Sequence, residues 1–389
     1  MFTLLRSQAV RNTLLQILFV GAIGFVIIAG GLNAQQTLRE NHISSGFDFL
    51  WKSTGWNLNF SLLPSSSTDP YWWFFVIGLI NTLFLGTIGL ALATIVGGLI
   101  GLARTSSNEL LQLLGRSYVD FFRNIPLILQ VFFWYAFIGH LPATRGAYEF
   151  AGMTLSNRGI YAPAPNVGGW YLLVAALCVL AAVIVPVWMG ASRRLALAFR
   201  PERLRLWRVG AALGSLGLAI AVVVAGRIPG QPLLDIPKLT GLNIRGGLRI
   251  SPELSAMAIA MAIYGGAYIA EIVRGGFKAV GRGQVEAALA LGLKPWHVFS
   301  RIKLPLALRA MLPILANQYV WLIKATSLGI TIGFTDFFMI VAVTINQSGQ
   351  TLEAIGILMA GFLVINMTLA ALFNRLNKAV ALKGNQLRG

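Results

Sequence analysis

Eight apolar runs dominate this chain of 389 residues: Leu14 to Leu32, Trp72 to Ala103, Val119 to Ile138, Trp170 to Met189, Val209 to Ala225, Pro252 to Val273, Met311 to Ile332 and Leu352 to Phe373. A bilayer core about 30 Å thick takes about 20 apolar residues of helix, and every run meets or approaches that length. Charged residues make up only 11% of the chain and hydrophobic residues 56%, with a mean hydropathy of +0.72. An ordinary soluble domain, about a quarter charged, is excluded. The expected fold is an all-α integral membrane protein with about eight transmembrane helices.

Basic residues give the orientation. With both termini inside, 21 of the 31 Lys and Arg residues fall in cytoplasmic segments and eight in the opposite ones. That asymmetry is what the positive-inside rule requires. The net charge of +18 then reflects topology and contact with the anionic headgroups of the lipid bilayer. No RNA or DNA motif accompanies it, so no nucleic acid partner is expected.

Between the sixth and seventh runs lies a polar, basic segment, EAALALGLKPWHVFSRIKLP, from Glu286 to Pro305. Glu286 to Leu291 are strong helix formers, and Gly292 stands where a left-handed residue ends a helix with little strain. Pro295 suits the first turn of a second helix, because its missing N–H has no intrahelical partner there, and Pro305 stops or kinks that helix. Ala287, Ala288 and Ala290 leave little bulk for a partner surface to meet. Glu286, Lys294, Arg301, Lys303 and Arg309 offer it charges. A plain solvated loop is the alternative reading.

The spacing Glu286-Ala287-Ala288, three residues, Gly292, nine residues, Ile302-x-Leu304-Pro305 resembles the EAA loop of bacterial ABC importer membrane subunits. In that family the loop forms coupling helices that sit in a groove of the ATP-hydrolysing subunit. Further segments narrow the resemblance to permeases of the polar amino acid uptake type: GLINTLFLGTIGLALATIVGGLIGLAR from Gly78, YVDFFRNIPLILQVFF from Tyr118, AYIAEIVRGGFKAVGRGQVEAA from Ala267 and IKATSLGITIGFTDFF from Ile323. The enlarged chain resembles the first permease subunit of general L-amino acid transporters.

The resemblance implies a five-helix type I importer permease core, enlarged by an N-terminal helix and an inserted helix pair. Residues 1–70 are read as the N-terminal helix with an extracytoplasmic segment, 71–139 as the first part of the core and 140–250 as the insertion. Residues 251–389 complete the core and carry the coupling segment 283–309. The resemblance also implies cytoplasmic ATPase subunits that bind the ATP and Mg, a second and related membrane subunit, a periplasmic amino-acid-binding protein, and residence in the bacterial inner membrane. No cofactor is expected in this chain.

The remaining segments carry local signals of their own. Arg6 and Arg11 before the first run resemble a signal peptide with a cut near Ala34, but the run is longer than a usual signal core, and an uncleaved anchor is favoured. Trp51, Trp56, Tyr71, Trp72 and Trp73 suit headgroup depth beside the polar stretch from Asn33 to Pro70. The linker ASRRLALAFRPERLRLWRV is basic and amphipathic, for the inner leaflet or for the ATPase. Cys178 is the single cysteine, and His42, His140 and His297 lie far apart, so no metal site is expected. No phosphate loop, nucleophile elbow or zinc-binding helix is present, so ATP hydrolysis is expected elsewhere.

Polar groups within or beside spans are costly in lipid unless they pair or line a pathway. Arg123, Asn124, Glu271, Lys324, Thr326, Ser327 and Asp336 are therefore the candidate substrate pathway. Lys324 with the hydroxyls of Thr326 and Ser327 suits an amino acid carboxylate, and Glu271 its ammonium. Equally, Glu271 and Arg274, three apart, suit a helical ion pair, and Arg123 and Asn124 suit interfacial anchoring. In permeases of this type with cationic substrates the residue after the lysine is usually acidic, whereas here it is Ala325, which fits broad specificity. Gly86, Gly89, Gly97, Gly98 and Gly101 in one span allow close helix approach. The other function classes considered are a secondary transporter or channel without an ATPase, and a membrane enzyme, for which no catalytic cluster is found.

Overall fold

The structure, a computed structural model, describes residues 8–40, 46–191 and 200–380. Residues 192–199 of the basic linker therefore lie outside the described residues, as do Arg6, His42 and the last nine residues, while its second half opens the helix Pro201–Ala225. Twelve helices are named here. They are α1 (Gln8–Glu40), α2 (Tyr71–Ala103), α3 (Glu109–Asn124), α4 (Leu127–Gly139), α5 (Gly169–Ala191), α6 (Pro201–Ala225), α7 (Pro252–Lys278), α8 (Arg282–Ala290), α9 (Pro295–Val298), α10 (Leu304–Lys324), α11 (Phe337–Ser348) and α12 (Thr351–Val380). Six segments are long and apolar enough to cross a membrane, or seven if α3 and α4 count as one span.

Two expected spans look different in the structure. The run from Val119 to Ile138 is no single helix: α3 ends at Asn124, Ile125 is extended (φ −97°, ψ 122°), and α4 starts after Pro126. Proline disfavours helical backbone at the residue before it, which explains the break. The run from Trp170 to Met189 lies within α5, a single helix of 23 residues with Pro186 inside it. The run to Ile332 leaves α-helical pitch at Lys324 and tightens into a 3-10 helix over Ala325–Ile332, which Gly333 ends at φ +80°.

The chain divides into two compact units. One comprises Met1–Leu127 with Met261–Gly389, and the other is Ile128–Ala260. In the first, α2 packs through a seam of small residues. A β-carbon added to Gly89, Gly97 or Gly101 would fall within about 2.6 Å of Met261, Ile269 or Val273 of α7. These glycines and Ala93 recur every four residues on one helix face. Gly265 of α7 answers from the other side, against Ala93 and against Leu322 of α10. Gly86 faces Ile323, whereas Gly98, on the other side of α2, meets nothing within 4 Å. Of the five glycines expected to permit close approach, four do so.

At the start of α2, Phe49, Phe74, Ile77, Phe337 and Ile340 form a buried cluster. The polar stretch before α2 is not merely interfacial, because residues 46–70 are tied to this cluster. Buried Asn81 donates to the carbonyls of Phe60 (3.2 Å) and Thr335 (2.8 Å) and accepts from Leu62 N (3.2 Å). The Thr335 hydroxyl exchanges hydrogen bonds with the backbone of Phe60.

The second unit adds short strands to a fold that is otherwise helical, as expected. Between α4 and α5, strands β1 (Tyr148–Phe150), β2 (Met153–Ser156), β3 (Gly159–Ala162) and β4 (Ala164–Pro165) form. Between α6 and α7 lie β5 (Leu234–Asp235), β6 (Lys238–Thr240), β7 (Asn243–Arg245) and β8 (Leu248–Ile250). They build a four-stranded antiparallel sheet in the order β1-β2-β3-β8 and two small ribbons, β4-β5 and β6-β7. The tight turns explain the hairpins: Ala151 (φ +49°) and Gly152 (φ +76°) supply the two positive φ angles that a two-residue hairpin turn demands. Within the same unit α5 packs against α6, and Arg208 Nε of α6 donates to the Pro186 carbonyl of α5 at 2.9 Å.

Candidate functional site

The segment from Arg282 to Pro305 folds much as its residues dictate. Helix α8 closes with Gly292 at φ +75°. Leu293 N donates to Ala288 O (3.2 Å) and Gly292 N to Leu289 O (2.9 Å). This is the paired 6→1 and 5→2 pattern of a Schellman end, which satisfies carbonyls the helix leaves open. Pro295 occupies the first turn of α9, as expected. Pro305 does not stop the chain: a π turn over Phe299–Lys303 carries α9 into α10, with Pro305 in the first turn of α10. A widened turn is one of the few ways a helix absorbs a residue without an N–H.

The residues of this segment divide by exposure. Glu286, Ala287 and Gly292 are exposed, Ile302, Leu304 and Pro305 are half-buried, and Ala288 is buried at 3%. Ala288 therefore faces inward rather than offering its small side chain to a partner. The outward apolar surface comes from residues the sequence reading did not single out, Leu291 (81% exposed), Trp296 (70%) and Leu289. Trp296 stacks on Phe299, which stacks on Phe277 of α7 at 5.8 Å. The segment also holds Leu293, Val298, Phe299, Ile302 and Leu304, so nothing in the sequence marks which of its apolar side chains face outward.

Among the pathway candidates, Glu271 is engaged from two sides. Arg104, just beyond α2, lies 2.5 Å from its Oε2, and Arg274 of its own helix donates from Nε at 3.2 Å and from Nη2 to Oε1. The carboxylate thus clamps the end of α2 to α7, and the helical ion pair considered from the sequence is present with a third member. Gly115 of α3 makes room for the Arg104 stem, since a β-carbon there would lie 2.6 Å from Arg104 Cγ.

Arg123 sits over the ring of Tyr268 at 4.7 Å. Tyr268 belongs to an aromatic group with Tyr264 (4.9 Å) and with Trp321 of α10 (6.4 Å). Tyr264 and Tyr268, one turn apart in an apolar run, could have pointed to this group. Asn124 bonds back to the Asp120 carbonyl. Tyr118 of the same helix donates to Ile263 O of α7 at 2.7 Å, so α3 is fixed against α7 close to Arg123.

Lys324, Thr326 and Ser327 lie together where α10 becomes the 3-10 helix. Lys324 is exposed and Thr326 buried, and the hydroxyls of Thr326 and Ser327 donate to Ile323 O (2.7 Å) and Lys324 O (2.9 Å). Each hydroxyl keeps its acceptor lone pairs and has spent its proton. Asp336 is elsewhere: it caps α11, its Oδ1 accepting from Met339 N at 2.8 Å, and its side chain is fully buried. Arg123 and Glu271 line one cleft, while the Lys324 group and Asp336 belong to other parts of the fold.

Six segments among the described residues are long and apolar enough to cross a membrane, and similarity to known proteins gives the class to which such a chain belongs. Residues 204–382 match the model of the binding-protein-dependent transport system inner membrane component. Similarity to individual proteins runs nearly end to end. The Escherichia coli (strain K12) protein YhdX, whose name is that of an amino-acid ABC transporter permease, is 38% identical over 97% of this chain and 95% of its own. The general L-amino acid transport system permease protein AapQ of Rhizobium johnstonii is 36% identical over 96% and 92%. The glutamate/glutamine/aspartate/asparagine transport system permease protein BztB of Rhodobacter capsulatus is 33% identical over 97% and 96%. The chain belongs to the family of binding-protein-dependent transport system inner membrane components, and is a multi-pass ABC permease of the polar amino acid uptake type.

Proposed function

We propose that the chain is one of two membrane subunits of an ATP-driven importer of L-amino acids with broad side-chain tolerance. It takes substrate from a periplasmic binding protein and passes it to the cytoplasm. The substrate class is supported by near full-length similarity to permeases whose names specify amino acids. The second membrane subunit is a related chain, giving a heterodimer.

In this reading Glu286 to Pro305 docks on a cytoplasmic ATPase subunit, which binds ATP and Mg. The observation that carries it is the exposed apolar surface formed by Leu289, Leu291 and Trp296. Burying such side chains contributes about 1.5–3 kcal/mol each. Arg123 and Lys324 with Thr326 and Ser327 line the pathway, offering positive charge and acceptor oxygens to a zwitterion. Glu271, engaged by two guanidinium groups, shapes the path rather than meeting the ammonium directly. The buried Ala325 after the lysine leaves side-chain charge unread.

Reconstituted complexes should take up labelled acidic, neutral and basic amino acids only with ATP present. Glu286→Lys should release the ATPase on purification while membrane insertion is unchanged. ATP-independent uptake, or an ATPase retained by the variant with full transport, would remove the reading and favour a gradient-driven carrier.

A further inference from the structure

The ends of α2 and α7 and the length of α3 border an open cleft of about 550 Å³ whose wall is mostly cationic: Arg104, Arg116, Arg123, Arg274 and Lys278. Two carboxylates share that wall, and both are engaged. Glu271 holds Arg104 and Arg274, and Asp120 lies 3.5 Å from Arg116. Arg123 and Lys278 have no carboxylate partner among the described residues, and both are exposed. The carbonyl ends of α2 and α7 also lie here, but each helix end carries only about half a negative charge, which does not balance the cations.

Five cations against two carboxylates, around a space large enough for a tetrahedral anion and its water, leave positive potential without a counter-charge. Guanidinium forks match phosphate oxygens in pairs, and an ammonium adds a point charge. The charge asymmetry of the sequence puts Arg104, Arg116, Arg274 and Lys278 on the cytoplasmic side, at the depth of inner-leaflet headgroups. Basic pockets between membrane helices on that side are suited to phosphate-bearing headgroups.

We propose that this cleft is a binding site for a phosphate group, with Arg123 and Lys278 as its principal ligands and the Arg104–Glu271–Arg274 cluster as its fixed floor. Occupancy would tie the end of α2 and α3 to α7. The site is separate from the Lys324 to Ser327 turn and from the coupling segment; it shares Arg123 with the proposed pathway, and its test reads lipid and phosphate binding rather than transport.

The phosphate has two sources, an anionic phospholipid or a soluble anion, and one set of variants separates them. The full-length chain in neutral detergent would be titrated with phosphatidylglycerol and with phosphatidylcholine, counting bound lipid by native mass spectrometry. Radiolabelled inorganic phosphate would be followed by equilibrium dialysis. The test variant is Arg123→Gln with Lys278→Gln, both exposed so that neither leaves a buried charge unpaired. The control is Arg282→Gln with Lys294→Gln, an equal loss of charge outside the cleft.

Two surface cations correspond to roughly a 30-fold weakening. Preference for phosphatidylglycerol in the native chain, lost by about that factor in the test variant and changed by less than about threefold in the control, assigns the site to a lipid headgroup. Saturable phosphate binding without lipid preference, lost in the same variant, assigns it to a soluble anion. No binding of either, an undiminished test variant, or equal loss in the control would overturn the site.

Discussion

Gly97 of α2 faces Ile269 of α7 so closely that a β-carbon on the glycine would lie 2.6 Å from the isoleucine Cβ and 2.7 Å from the Gly266 carbonyl. Its neighbour Gly98 has open space. Gly97→Ala should therefore force the helices apart and cost about 1–3 kcal/mol. Gly98→Ala should be neutral or stabilise by about 0.5–1 kcal/mol, because it only removes the flexibility of glycine within a helix. Thermal unfolding of both variants in detergent tests the seam, and equal effects would show that α2 does not sit against α7 in this register.

Removal of the Glu271 carboxylate should be worse than removal of Arg274. Glu271→Gln leaves Arg104, whose side chain is 10% exposed, without a counter-charge, whereas Arg274→Gln leaves the Arg104 pair intact. The first should cost about 1.5–3 kcal/mol and the second markedly less, being a partly exposed pair. Unfolding midpoints in the reverse order would place the clamp elsewhere.

Asp336 caps α11 in a buried setting beyond the candidate spans, and burial raises its pKa from 3.8 to about 7. The folded state therefore binds the proton more tightly than the unfolded chain. Its stabilising contribution is complete below about pH 4, the unfolded value, and is lost as the pH rises through about 7. Asp336→Asn copies the protonated carboxyl and remains a good N-cap. The native midpoint should fall between pH 5 and pH 8 while the variant stays flatter, with the largest difference at pH 8. Parallel curves would argue against a proton on Asp336.

If Leu291 and Trp296 form the docking surface, Trp296→Ala should lower ATPase retention and ATP-driven uptake together. Folding should be little changed, because the ring is 70% exposed. Gly292→Ala acts differently. Nothing crowds the added carbon, but φ +75° is left-handed, so the substitution strains the helix end by about 1–2 kcal/mol. Transport by the Trp296 variant at the native rate would move the docking surface away from this segment.

Apolar run length and the end signals of α8 and α9 were readable without any coordinates, because both are local: Gly292 and Pro295 act on their own backbone. Three features were not. The break before Pro126 is written in one residue, and the run around it, although it carries Asp120, Arg123 and Asn124, has the length of one span. The strands of the second unit are two to four residues long, below the length at which alternation stands out, and β3 pairs with β8 from the far side of two helices. Asn81, Thr335 and Arg104 matter through partners distant in the chain, which neither periodicity nor spacing reveals.

From Pro295 to Lys324 the backbone stays helical through its change of pitch at Phe299–Lys303, about 45 Å at 1.5 Å per residue. The widened turn and Pro313 are its two bending points, so, if the docking reading holds, a push on the indole reaches the lysine only as far as those two points stay stiff.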